Sequence, residues 1–167
     1  MRTGRQRGFT YLFVLFFVAL TAAGLAGLGR SWQNATERER ERELEFRGGQ
    51  IARAIHAYRK ASPGIEQSPQ SLAELIADRR APVSRQHLRQ LYVDPFTGQA
   101  DWQLLPDPSD PRRFVGVRSR SSQELLRQRI GFCTEVRRAS DCAFRAHDYA
   151  GGSLPAQAPT GAASAPV

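Results

Sequence analysis

The sequence has few of the residues that most soluble enzymes use for chemistry. It has one lysine, Lys60, among 24 basic residues, three histidines and two cysteines in 167 residues. His56, His87 and His147 stand far apart, so no paired-histidine metal motif exists. The two cysteines, without a second pair, cannot complete a zinc set. There is no Gly-x-Ser-x-Gly elbow and no phosphate-binding glycine loop, the patterns that would announce a nucleophile or a nucleotide. These absences point away from an enzyme and from a soluble cofactor. Charge is missing from Phe9 to Gly29, 21 residues, and proline from Arg30 to Ala61. The last stretch, residues 150–167, is mostly glycine, proline, alanine and serine, with no charge. It offers too little apolar surface to fold and reads as a disordered tail.

What is present begins at the N-terminus. Arg2, Arg5 and Arg7 precede Gly8-Phe9-Thr10, and the uncharged run follows. As a helix, that run spans about 31 Å, one bilayer core. A secretory signal has a shorter apolar stretch, with its cleavage site after it; here the Gly8-Phe9 step comes before. Arginines ahead of the span keep that end cytoplasmic and send the rest outward. The net charge is +8, and removing the three leader arginines leaves 21 − 16 = +5 on residues 30–167. The arginine bias reflects genome composition as readily as binding.

Arg7-Gly8-Phe9-Thr10-Tyr11-Leu12 followed by an apolar helix resembles the leader of type IV pilins and type II secretion pseudopilins. The resemblance implies cleavage between Gly8 and Phe9 by a prepilin peptidase, methylation of Phe9, and assembly with other subunits on an inner-membrane platform. It also implies a single-pass inner-membrane protein with a periplasmic domain, and an α+β fold in which a long N-terminal helix packs on a small antiparallel sheet. Phe13 stands where most of the family carries glutamate, which suits a minor, initiating or divergent subunit. Gly24, Gly27 and Gly29 replace the usual proline near the end of the span, and each loosens a helix by about 1 kcal/mol relative to alanine.

The expected division is a leader (1–8), a transmembrane helix (9–29), a stalk and amphipathic helix (30–61), a small periplasmic domain (62–149) and the tail (150–167). Leu44, Ile51, Ile55 and Tyr58 make one apolar stripe at helical spacing. Helix from Phe9 to Ala61 would reach about 80 Å if straight, with Gly48-Gly49 the expected bend. Between its halves, Glu37, Arg38, Glu39, Arg40, Glu41, Arg42 and Glu43 alternate in charge. With no apolar residue, this run is read as unable to face a core. It is either a solvated stalk or a register-setting array between subunits, so Phe9, Phe13 and Glu37 to Arg42 are the candidate assembly residues.

Further along, Ser71 and Glu74 predict a capped helix over 72–79, and a second helix is read over 84–91. Asp94-Pro95-Phe96-Thr97-Gly98 is a turn. Residues 100–105, with Trp102 and Leu104 on one face, and 113–120, with Val115 and Val117 on one face, predict a hairpin joined by the loop 106–111. Residues 88–102 also resemble the pseudopilin segment where the loop enters the sheet. A helix is read over 123–130, with Phe132, Val136 and Phe144 in the core and order ending at Asp148-Tyr149. An outward domain sits in an oxidising compartment, where Cys133 and Cys142 would close a ten-residue loop; two free thiols are the alternative. The family's carboxylate loops can bind calcium, and Asp101, Asp107, Asp110 and Asp141 are the local candidates, though no spaced calcium loop appears. For nucleic acid, Arg112, Arg113, Arg118, Arg120, Arg127, Arg129, Arg137 and Arg138 would form the strip, but it has few aromatics, and nucleic acid is not an expected partner.

Overall fold

A computed structural model describes residues 7–151, with side chains for all of these except 7–9 and 24–34. The leader before Arg7 and the tail from 152 lie outside the described residues. The chain divides into two compact units, Met1–Glu39 and Arg40–Val167.

The described part of the first unit is helical. It forms the start of α1, Arg7–Lys60. Its uncharged residues 10–23 carry exposed side chains on every side, from Tyr11 and Leu12 to Val18 and Leu20. Thr21 turns its hydroxyl back to the Val18 carbonyl at 2.9 Å, the ordinary way for an in-helix threonine to hide its donor. Among the described residues no helix is long and apolar enough to cross a membrane. The expected span, residues 9–29, has described side chains only at 10–23.

The second unit is α+β. The C-terminal part of α1 packs on a small antiparallel sheet, and its predicted stripe is its buried face: Leu44, Ile51, Ile55 and Tyr58 are all at most 3 % exposed. After α1 comes the short helix α2, Leu72–Ile76. The three-stranded sheet has the order β1-β2-β5, with β1 at Gln103–Asp107, β2 at Asp110–Arg118 and β5 at Ala143–Arg145. A separate ribbon pairs β3, Arg129–Ile130, with β4, Cys133–Thr134. Phe114, Val117, Phe144 and Trp102 fill the space between sheet and helix.

The predicted bend at Gly48-Gly49 is not there, and α1 runs through the pair unbroken. The glycines serve close approach instead. A Cβ at Gly48 would overlap the Phe144 ring, and one at Gly49 would lie 3.2 Å from the Tyr149 ring. Two large aromatics thus sit directly on helix backbone.

The hairpin forms with its strands shifted toward the turn. β1 begins after Trp102 rather than at Ala100, and the connection shrinks to Pro108-Ser109. Trp102 therefore escapes the strand's alternation. It is buried with its indole N–H on the Tyr92 carbonyl at 2.8 Å, while Leu104 is outward-facing. The register slips between Leu105 and Pro106 and again before Asp107. The first slip skips Val115, which is only half-buried, while Phe114, Gly116 and Val117 are the buried residues of β2.

Three short elements differ from expectation for one reason: long-range hydrogen bonds take over the backbone groups that a helix would use. The helix predicted over 72–79 stops at Ile76 because the Leu75 carbonyl accepts the His87 and Leu88 amides, both at 2.9 Å. Ser71 holds the N-cap position without a side-chain capping bond, and Glu74 takes the Gln70 amide at 3.1 Å. Residues 84–91 form no helix, since Arg85 bridges to Asp78. Residues 123–130 form none either: Glu124 bridges to Arg138 and Arg129 enters β3. Val136 and Phe144 are core, but Phe132 is 38 % exposed, edge-on to the buried Tyr149.

The Gly48 contact yields a direct test. Gly48→Ala should destabilise the domain by about 1–3 kcal/mol through overpacking, despite alanine's better helix propensity. Denaturant unfolding followed by Trp102 fluorescence measures it; an unchanged or raised midpoint would contradict the packing.

Candidate functional site

A charged clasp lies at the N-terminal edge of this domain. Glu41 lies three residues before Leu44, on the same helical stripe, and is 1 % exposed. This corrects the expectation that the alternating run cannot face a core. One carboxylate oxygen accepts the backbone amides of Leu126 and Arg127, the other the Arg127 guanidinium Nε at 3.1 Å. Glu45, one turn on, takes the same guanidinium at 3.4 Å. A buried carboxylate is tolerable only when its oxygens are matched this fully. Glu41 thereby anchors the loop that leads into β3 onto α1, just after the boundary between the two units.

Beyond β3, the Cys133–Cys142 disulfide closes the next loop, with Cα atoms 5.4 Å apart. Between β3 and β4, Gly131 takes a positive φ of 55° beside Glu45 and Tyr149. Tyr149 stacks under the Arg53 guanidinium, 5.5 Å from the ring centroid. Burial pushes its hydroxyl up to about 12.

A second polar cluster closes the other end of the domain. Arg80 grips Asp78 with two bonds, 2.8 and 2.7 Å, and also donates to the Tyr58 carbonyl and the Ser62 hydroxyl. Its guanidinium lies 3.4 Å over the Tyr58 ring. His87 Nε2 is 3.1 Å from Asp78. The Arg80 hydrogen bonds hold the Asp78 carboxyl well below the usual carboxylate range, against the opposing effect of burial. Burial, then the bond to Glu74, pushes the Tyr58 hydroxyl up to about 12. A cleft of about 690 Å³ opens here, past Gln67, Gln70, Glu74 and Arg113. The Asp78, Arg80 and Tyr58 groups bond one another, which makes the cluster a structural tie between α1 and the segment after α2.

The other expected site residues sit as follows. Gly8 and Phe9 fall within α1, their side-chain surroundings outside the described residues. Phe13 is exposed; Arg38, Glu39, Arg40 and Arg42 are exposed and Glu37 half-buried. Of the candidate assembly residues with described side chains, Glu41 alone is buried. The calcium candidates belong to separate turns. Asp101 accepts from Thr97, Asp107 from Ser68 and Ser109, Asp110 from Arg112 and Arg113, and Asp141 from the amides of Arg137 and Arg138. The Ser68 bond draws the Asp107 carboxyl below its ordinary value. Among the described residues no three potential ligands converge. Of the arginine strip, Arg113, Arg118, Arg120 and Arg127 point to intrachain acceptors. His56 is half-buried, and His147 is exposed beside Asp148.

Comparison with protein-family models, with curated proteins and with solved structures finds no match.

Glu45 was not singled out by sequence, and Arg127 only as one arginine of the nucleic-acid strip, not as a partner of Glu41. The signal was available for Glu45, which sits one residue past Leu44 and one turn past Glu41, on the edge of the stripe. For Arg127 nothing local marks it among so many arginines.

Two tests follow from these clusters. Glu41→Ala leaves two amides without their acceptor and the Arg127 guanidinium with Glu45 alone, and should cost about 1–3 kcal/mol, with Glu41→Gln costing less because it keeps a carbonyl acceptor. Equal stability for all three proteins in urea unfolding would remove the clasp from the account. For Asp78, a folded pKa depressed below the unfolded one means stabilisation present above about pH 4 and lost as pH falls through the folded value. Asp78→Asn should therefore be less stable than the parent at pH 7, on the order of 2 kcal/mol, with the gap narrowing on acidification. A gap independent of pH would contradict the ionised pair.

Proposed function

We propose that this chain is a prepilin-like structural subunit of a type II secretion pseudopilus or a related type IV filament. One observation carries the reading: a basic leader ends at Gly8-Phe9, and an uncharged run begins at that step rather than before it. Two features support it. Residues 10–23 are helical and apolar on all sides, a pattern that suits burial in lipid or in a bundle of like helices. The same α1 ends as the packing spine of a small antiparallel domain, in keeping with a pilin-like arrangement of one helix with a membrane half and an amphipathic half.

The mechanism is mechanical. The leader holds the precursor in the inner membrane with the domain in the periplasm. Prepilin peptidase removes residues 1–8 and exposes Phe9 for methylation. The assembly platform then draws the helix out of the bilayer, and contacts with neighbouring helices replace contacts with lipid. Domains coat the filament, and its growth moves cargo or extends a fibre. Phe13, in place of the glutamate that the family uses, suits a minor or initiating position.

Phe13 also favours a second reading, a signal-anchored periplasmic domain with no assembly role. The mass of the N-terminal peptide, from protein made in its native host, separates the two. The expected peptide starts at a methylated Phe9. A peptide starting at Met1 or Arg2 would sink the filament reading and leave the anchored domain; one starting after Gly29 would sink both.

A further inference from the structure

We draw no further inference here: the strongest candidate, the apolar groove that Phe46 of α1 walls with Leu91 and Val93 of the extended segment before the Asp94 turn, is edged by Glu43 and Arg47 already paired with each other, and nothing in the structure shows what covers it.

Discussion

The domain depends on how closely the sheet can approach one helix. Phe144 reaches the backbone of α1 only because Gly48 has no side chain, and Tyr149 settles against Gly49 in the same way. With those rings seated, β5 lies where it can pair with β2, and β2 brings Phe114 and Val117 onto the stripe formed by Leu44, Ile51 and Ile55. The closest β2–β5 approach is again at a glycine, Gly116, where a Cβ would meet the Phe144 carbonyl and the Arg145 backbone. A sheet of three short strands buries little area, so tight seating does much of the stabilising that a larger core would do by size.

The two ends of this packing are closed by charge rather than by more apolar surface. At one end Glu41 and Glu45 share Arg127, and at the other Asp78 takes both arms of Arg80. Each carboxylate sits where the helix or its neighbour would otherwise leave backbone donors uncovered. A matched ion pair adds little net energy compared with a hydrophobic substitute, but it tolerates only one geometry. In this domain the pairs fix which loop lies on which turn of α1.

The parts of the fold legible in sequence were those set by local pattern. The stripe of α1 follows from spacing alone. The Asp94 turn forms as its residues dictate, with Asp94 capping the Phe96 amide and Gly98 at a φ of 70°. The disulfide follows from its two cysteines and the expected compartment. What local pattern could not show was competition from afar. The Leu75 carbonyl has a choice between continuing a helix and accepting amides from residues 87 and 88, and only the tertiary structure decides it. Ala143–Arg145 is too short to announce a strand. Glu41 was misjudged because its charge was weighed before its position. Three residues ahead of Leu44, it shares the apolar stripe, and enough donors converge there to take a carboxylate.

The register slip at Pro106 has a consequence for crowding. β1 is an edge strand, and an open edge invites another chain to extend the sheet. Pro106 contributes no N–H to any such extension, and the irregular spacing on either side of it breaks the even ladder that an incoming strand would need. The opposite edge, β5, is only three residues long. Should copies of this domain meet at high concentration, both edges guard against fusion through their backbones into a continuous, irreversible aggregate. Any contact between copies would then rest on side chains, which can be made and released.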